Sequence, residues 1–416
     1  MHQALAVSVM DTRTGFVLYE SAQHQPMYPA SVTKIMTALL VLEEVNDLSE
    51  EVIFSEHAVL SLPYYASRMH VAPGDVMTVY EALYGLMLPS GNEVANALAE
   101  HVSGTIEAFV AQMNSRAAEL GAVNTHFINP CGLPGDNQHT TAYDMALIMR
   151  EAINHPVFNE VSGAPNFFVS PTEGLPEGLM LRNTNLLIRP ESEYYNPWVL
   201  SGKTGFTNAA QHTLVSHARW REHDLIISVL YAPRRATFTD TATLLDYAFN
   251  MPVETIFDAS SHSWVVPVMQ SIDGESTMIG SANVEALADL RIPIPSGMPR
   301  IRHEIYIPAD IAPPVHIGDV VGSKSFFAGD DLIHKIDLVS ANTVFAYTPT
   351  PAFRQDTGVN APDFIPSIIL FFALLPVITL VLIGTLVVLL RRHRRMLRRR
   401  RRMARIRYAR YQGGLE

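Results

Sequence analysis

Three short motifs hold the residues whose chemistry is most informative. The chain has only four lysines, and two of them lie in patterned segments. Lys34 ends a Ser-x-x-Lys motif that begins at Ser31. Lys203 begins a Lys-Thr-Gly motif, and Ser90-Gly91-Asn92 lies between these two motifs in the chain. The residue types point to a serine nucleophile and a lysine base, because a serine hydroxyl becomes reactive only when a neighbouring base takes its proton.

The spacing of Ser31 and Lys34 suits that pairing. Residues three apart on a helix share a face, so Lys34 Nζ can approach Ser31 Oγ. Lysine accepts a proton only in its neutral form, and we expect two causes to lower the pKa of Lys34: burial and the charge of Lys203. The helix N-terminus also places partial positive charge where an oxyanion would develop.

The elements that must position these motifs can be predicted from hydrophobic periodicity. Residues 31–44 are apolar on nearly every face, which indicates a buried helix. Strands at both ends of residues 1–255, with helices between them, favour one α+β domain whose sheet pairs its terminal strands. A loop-rich stretch, 156–197, is predicted before the second group of strands. The further predicted helices are 79–88, 92–102, 105–120, 141–153 and 239–250. The predicted strands are 5–10, 15–19, 212–217 and 225–232. Lys203 lies just before the hairpin formed by the last two strands.

The rest of the chain differs in composition. Short apolar runs separated by Asp-Gly and Gly-Asp turns predict a small β-rich domain over 256–347. A linker with three prolines follows at 348–363. Residues 364–390 carry no charge and are long enough to cross a hydrocarbon core of about 30 Å as one transmembrane helix. Twelve arginines within 391–416 predict a cytoplasmic tail and an anionic-lipid contact, which places the preceding domains outside the cell membrane.

This orientation requires export of the N-terminus. The segment after Met1 is typical of a strand and lacks a cleavage site, so we expect an upstream start or a signal peptide already absent from this chain. Of the 41 aspartates and glutamates, only one lies after Arg391, so the chain before the tail is acidic. An acidic surface repels phosphate, which excludes nucleic acid as the expected partner. The single cysteine, Cys131, rules out a cysteine-based zinc site, and no histidine spacing indicates a metal, so no cofactor is expected.

Taken together, the motifs resemble those of the low-molecular-mass penicillin-binding proteins that are serine-type D-alanyl-D-alanine carboxypeptidases. The likeness covers roughly 4–255 and continues more weakly over 256–347. It implies a β-lactamase/DD-peptidase-like fold, in which a helical cluster packs on an antiparallel sheet. It also implies peptidoglycan peptide stems as substrate and β-lactams as covalent inhibitors. The supporting segments are 11–15, 28–31, 87–92, 139–144 and 183–187.

The resemblance implies a role for each motif residue. Ser31 would be the acylated nucleophile, Lys34 the general base, and Ser90 the relay that passes a proton to the leaving D-alanine. The backbone N–H groups of Ser31 and Phe206 would form the oxyanion hole. The substrate-binding residues implied in the same way are Asn92, Lys203, Thr204, Gly205 and Phe206. Arg234 and Arg235 lie near the family's carboxylate-binding arginine in the chain, and neither is assigned that role.

Three other functions stay open at this point. A D,D-endopeptidase that cuts crosslinks would use the same residues. A class A β-lactamase shares the motifs but needs a glutamate to activate the deacylating water, and residues 156–197 lack a Glu-x-x-Leu-Asn pattern. A non-catalytic cell-wall scaffold would have no need of the complete set of motif residues, so their presence favours an enzyme.

Overall fold

The α-helices that the structure describes lie between residues 34 and 249 of the chain. The computed structural model describes residues 2–348, and eight α-helices lie in this range. A 3-10 turn, Ala30–Thr33, directly precedes the first of them, and a second one, Ala259–Ser261, lies later in the chain. The helices are α1 Lys34–Glu44, α2 Glu56–Leu60, α3 Val79–Met87, α4 Asn92–Ser103, α5 Ile106–Glu119, α6 Ala142–Ala152, α7 Pro156–Gly163 and α8 Ala236–Phe249.

The strands form two five-stranded sheets and three two-stranded ones within the described residues. The strands up to residue 232 are β1 Ala6–Asp11, β2 Val17–Ser21, β3 Glu51–Ile53, β4 Val76–Thr78, β5 Asn166–Val169, β6 Leu179–Arg182, β7 Val199–Thr207, β8 Gln211–Trp220 and β9 His223–Ala232. Those after it are β10 Val253–Phe257, β11 Ser263–Ile272, β12 Glu275–Ala286, β13 Leu290–Pro293, β14 Ile301–Tyr306, β15 Val320–Ala328 and β16 Asp331–Ser340.

The first large sheet has the strand order β2-β1-β9-β8-β7, and all its pairs are antiparallel. Ala6 lies opposite Leu230, so the first strand pairs with the last, which confirms the expected pairing of the terminal strands. Every residue of β1 is buried because both faces of the sheet are covered. Alternate residues point to opposite sides, as strand geometry requires. Met10 contributes to the core formed with the helical cluster, and Val9 contributes to the core formed with α8.

Side-chain caps fix several helix starts close to the predicted positions. Thr78 and Glu81 form a reciprocal capping box at the start of α3. Thr105 accepts a hydrogen bond from Ala108 N at the start of α5, and Thr141 accepts one from Asp144 N at the start of α6. These three helices begin within one residue of the predicted positions.

Three local features differ in detail from the expected structure. The predicted loop-rich stretch 156–197 contains α7 and the β5–β6 pair. Ser31 lies in the 3-10 turn before α1 rather than in the α-helix itself. Lys203 directly precedes the β8–β9 hairpin, as expected, but it lies within an edge strand, β7, that was not predicted. Glycines on both sides of Lys203 give this strand the composition of a turn, and pairing with β8 overrides that local preference.

Five of the six strands that begin after residue 255 build the second large sheet, with the order β11-β12-β16-β15-β14, and the sixth, β13, pairs with β10. This sheet has its own apolar core. Phe16 packs against this core and also against the core between the first sheet and α8. The predicted domain division at residue 255 falls within β10 and stays a prediction. In the part of the chain that the structure describes, no helix is both long and apolar enough to cross a bilayer. The predicted transmembrane segment 364–390 and tail 391–416 lie outside the described residues, as does nearly all of the linker 348–363.

Candidate active site

Ser31 is held in a tightly packed turn. The preceding residue, Ala30, has a left-handed backbone with φ of 51°, which is uncommon for alanine. Thr33 Oγ1 donates to Ala30 O at 2.9 Å and closes the turn. Gly132 approaches from another loop so closely that a Cβ there would lie 1.8 Å from Ala30 O. The strained conformation is therefore fixed by its surroundings, as is common where a side chain must be presented at a site.

Lys34 follows directly and is completely buried. Its Nζ lies 3.3 Å from Ser31 Oγ, as the spacing of the two residues predicted. It also lies 2.5 Å from Asn92 Oδ1 and 2.8 Å from the backbone carbonyl oxygen of Cys131. Lys34 therefore has three oxygen neighbours, of which two can only accept hydrogen bonds and one is a hydroxyl.

Burial lowers the pKa of Lys34 to about 8, while the nearby charge of Glu93 opposes the shift. Burial, and not the charge of Lys203, is thus the main cause at this residue. The repulsion between the lysines acts on the other partner, since burial and then the charge of Lys34 hold the pKa of Lys203 well below its usual value. With this pKa, about a fifth of Lys34 is neutral near pH 7.4, and only the neutral amine can act as a general base.

The Ser90 motif forms the link between α3 and α4. Ser90 has a left-handed backbone with φ of 68°, and Gly91 N donates to Gly85 O at 3.0 Å. Ser90 Oγ is buried and has no hydrogen-bond partner among the described residues. Asn92 begins α4 and points its amide oxygen at Lys34. The link thus places one unpaired hydroxyl and one amide beside the serine–lysine pair.

β7 carries the third motif past Ser31. Lys203 is buried, and its Nζ donates to Thr204 O at 2.9 Å. A Cβ at Gly205 would lie 2.8 Å from Ser31 N and 2.4 Å from Thr213 Oγ1, so only glycine allows this close approach. Thr213 Oγ1 also donates to Pro29 O at 3.0 Å, which ties β8 to the turn. The structure therefore brings all three motifs together around Ser31.

Two residues that contact the site were missed from the sequence. The Cys131 carbonyl contacts Lys34 through the backbone, so no side-chain pattern announces it. Thr184 Oγ1 lies 2.6 Å from Thr204 Oγ1 and donates to Leu88 O at 3.2 Å, linking the Ser90 and Lys203 motifs. Thr184 lies in segment 183–187, which the resemblance had already singled out, but no role was assigned to it.

Ser31 lines two clefts on the surface. The first, about 700 Å³, is called here the arginine cleft and is also lined by Ser90, Thr204, Gly205, Phe206 and three arginines, namely Arg189, Arg234 and Arg235. The second, about 520 Å³, is called the tyrosine cleft and is also lined by Asn92, Tyr64, Tyr65 and Leu133. Lys34 and Lys203 lie buried next to Ser31 and do not line either cleft. A substrate that passes Ser31 would thus meet cationic side chains on one side of the serine and aromatic ones on the other.

The fold and these motifs are those of the penicillin-binding serine peptidases. The D-alanyl-D-alanine carboxypeptidase family, peptidase family S11, matches residues 1–234, and the chain belongs to this family.

Individual relatives agree with this assignment. The D-alanyl-D-alanine carboxypeptidase DacF of Bacillus subtilis is 34% identical over 255 residues, which cover 60% of this chain and 63% of the relative. DacB2 of Mycobacterium tuberculosis is 36% identical over 247 residues, which cover 58% of this chain and 80% of the relative. The crystal structure of DacD from Francisella tularensis matches with a TM-score of 0.60 and 27% identity over 83% of this chain and 95% of that one. The matched part thus spans less than two thirds of the Bacillus relative.

Proposed function

We propose that the protein is a serine D-alanyl-D-alanine carboxypeptidase that removes the terminal D-alanine from peptidoglycan pentapeptide stems. The observation that carries the proposal is the environment of Lys34 Nζ. A neutral amine has two N–H donors and one lone pair. It can donate to Asn92 Oδ1 and to Cys131 O, and the lone pair then faces the hydroxyl of Ser31. The surroundings thus match the form of lysine that can remove a proton from serine.

Acylation follows from this arrangement. Ser31 Oγ attacks the carbonyl carbon of the penultimate D-alanine while its proton moves to Lys34 Nζ. The Ser31 and Phe206 N–H groups would stabilise the oxyanion, and Asn92 would bind the acyl amide through its Nδ2. The C–N bond then breaks, and the proton passes from Lys34 through Ser90 Oγ to the nitrogen of the leaving D-alanine. An unpartnered Ser90 hydroxyl suits this relay.

The two clefts set the direction of the substrate. The terminal carboxylate fits the arginine cleft, where Thr204 and the side chains of Arg234 and Arg235 supply donors and positive charge. The acyl part of the stem then lies in the tyrosine cleft. The buried charge of Lys203 would add a positive field at the scissile bond whenever it is protonated.

Deacylation separates this function from that of a β-lactamase. Departure of D-alanine leaves room for water, which neutral Lys34 can activate to hydrolyse the ester. A β-lactam keeps its leaving group attached, which hinders that water. Within the described residues no aspartate or glutamate lines either cleft, so no carboxylate there can act as a second base. We therefore expect a long-lived ester with β-lactams.

The experiment combines a fluorescent penicillin with substrate assays on the full-length chain. A denaturing gel should show label on the wild type and none on Ser31→Ala, and D-alanine should be released from a pentapeptide stem. Label with cleavage of crosslinked dimers but no release from the pentapeptide would indicate the endopeptidase instead. Rapid penicillin turnover without stable label would indicate a β-lactamase. Folded protein without any of these activities would leave the scaffold function.

We also propose that the catalytic unit is followed by a separate β-rich domain, 256–347, and is anchored at the outer face of the cell membrane. The uncharged segment 364–390 beside twelve arginines supports a single transmembrane helix with a cytoplasmic C-terminus. Membrane attachment would keep the active site close to newly made cell wall, where pentapeptide stems are found.

A further inference from the structure

Two adjacent tyrosines stand exposed at the mouth of the tyrosine cleft. Tyr64 is 95% exposed and Tyr65 is 68% exposed, which is unusual for side chains that gain most from burial. Their rings meet edge to face with centroids 5.5 Å apart. Both line the cleft that also contains Ser31, and Tyr65 lines the arginine cleft as well. The pair is therefore continuous with the surface on which the substrate is expected to lie.

The loop that carries the tyrosines is fixed on both sides. On the side that precedes the tyrosines in the chain, the backbone oxygens of Val59 and Leu62 accept hydrogen bonds from the Arg68 guanidinium, at 2.7 Å and 2.8 Å. After it, Ser67 O accepts from Asn92 N at 2.9 Å. The buried carboxylate of Glu93 accepts from Met69 N at 2.6 Å. The loop thus presents two aromatic rings to solvent in a preorganised position, and preorganisation lowers the entropic cost of binding.

The charge of the surrounding surface limits what the rings could bind. Among the described residues that line the tyrosine cleft, none is a lysine, arginine, aspartate or glutamate. Cys131 also lines it, and burial raises the pKa of that thiol, so it stays neutral. A carboxylate would find no cation there. An ammonium group would find the negative faces of the two rings, which is the arrangement of a cation–π contact.

We propose that Tyr64 and Tyr65 form a recognition site for the side-chain ammonium group of the diamino acid that precedes D-alanyl-D-alanine in the stem. The inference rests on the proposed function, since it takes the tyrosine cleft as the place of the acyl part. It makes the pair specificity-determining rather than catalytic. Stems with a free side-chain amine would be preferred over stems in which that amine is acylated. Exposed cation–π contacts of ordinary strength correspond to a preference of about two- to fivefold in kcat/KM.

The test uses two matched substrates, an acyl-L-lysyl-D-alanyl-D-alanine with a free side-chain amine and the same peptide with that amine acetylated. The ratio of their kcat/KM values is measured on the full-length chain. The wild type should favour the free amine. Tyr64→Leu and Tyr65→Leu, singly and together, should bring the ratio towards one, whereas Tyr64→Phe and Tyr65→Phe keep a ring and should retain it. Tyr306→Leu, an exposed tyrosine on β14, is the matched control.

Several results would overturn the proposal. One is a wild-type ratio of one or below. Others are leucine variants that keep the wild-type ratio, or a phenylalanine pair that loses it. An equal loss on both substrates in the leucine variants would show apolar contact with the stem instead of ammonium recognition. Failure of the wild type to release D-alanine from either substrate would count against the carboxypeptidase itself, and a folded Ser31→Ala protein would show the background.

Discussion

At the scale of single residues, the site depends on how Lys34 is surrounded. Among the described residues, no carboxylate lies within hydrogen-bond reach of its Nζ, which contacts an amide oxygen, a backbone carbonyl and the Ser31 hydroxyl. An ion pair would have raised the pKa of the lysine, whereas burial among neutral groups lowers it. These neighbours support the proposed role of Lys34 as a base, and we expect that role to make acylation sensitive to pH.

The first prediction concerns that pH dependence. The pKa of Lys34 lies near 8, and only the neutral amine can accept the Ser31 proton. Acylation by a fluorescent penicillin should therefore rise about tenfold per pH unit below 8 and level off above it. The measurement is the rate of labelling between pH 6 and 10. A profile that stays flat from pH 6 to 9 would show that Lys34 is not the titrating base.

The second prediction changes the base itself. Lys34→Arg keeps the positive charge but replaces the amine with a guanidinium, which stays protonated and cannot accept a proton. Labelling of Ser31 should be abolished although the protein folds. Lys335→Arg, on an exposed position of β16, is the matched control and should label normally. Labelling of Lys34→Arg within tenfold of the wild type would move the role of base to another residue.

At the scale of elements, the site exists because β7 passes very close to the 3-10 turn at Ser31. That approach depends on the missing side chain at Gly205, whose Cβ would collide with Ser31 N and Thr213 Oγ1. Neither atom can move away easily, because Ser31 N belongs to the backbone of the turn and Thr213 Oγ1 is held by its hydrogen bond to Pro29 O. Strand position and nucleophile position are therefore coupled.

Gly205→Ala tests this coupling. The added methyl group should push β7 away from the turn and lower the labelling rate more than tenfold, while the rest of the sheet stays folded. Gly280→Ala in β12 is the control, since its nearest neighbour would be the end of the Val344 side chain. Circular dichroism and thermal unfolding would show that both variants fold. Normal labelling of a folded Gly205→Ala protein would show that β7 need not approach so closely.

Elements with strong periodicity or a clear cap were predicted well from the sequence, and elements of mixed composition were not. Predicted helix 92–102 and observed α4, Asn92–Ser103, differ by one residue because an apolar face and a terminal glycine mark the helix. β7 was missed because Ser-Gly-Lys-Thr-Gly has the composition of a turn, and only its pairing with β8 makes it a strand. Local propensity is a weak guide where long-range pairing decides the structure.

The same distinction holds within the site. The pairing of Ser31 with Lys34 could be predicted because it depends on helical spacing alone. The contacts of Lys34 with Asn92 and with the Cys131 carbonyl join residues 58 and 97 positions apart, so tertiary packing had to reveal them. Thr184 was found for the same reason, through its contact with Thr204.

At the scale of the whole molecule, the chain combines an acidic body with an arginine-rich end, and the fourth prediction concerns its orientation. A reporter fused after Glu416 should be active in the cytoplasm, because arginine-rich flanks are retained there. Protease added to intact cells with a permeable outer layer should digest the part of the chain before residue 364. Protection of that part, with digestion only after lysis, would contradict the proposed orientation.

The pairing of β1 with β9 has a consequence for the biogenesis of the protein. β1 lies inside the sheet, between β2 and β9, and its partner residues on β9 begin more than 200 positions later in the chain. The buried strand Ala6–Asp11 cannot be completed on a ribosome until His223–Ala232 has been synthesised. Contacts of such long sequence separation slow folding. The nascent chain should therefore stay unfolded through most of its synthesis, which is the state in which a polypeptide can still be threaded through a translocation channel.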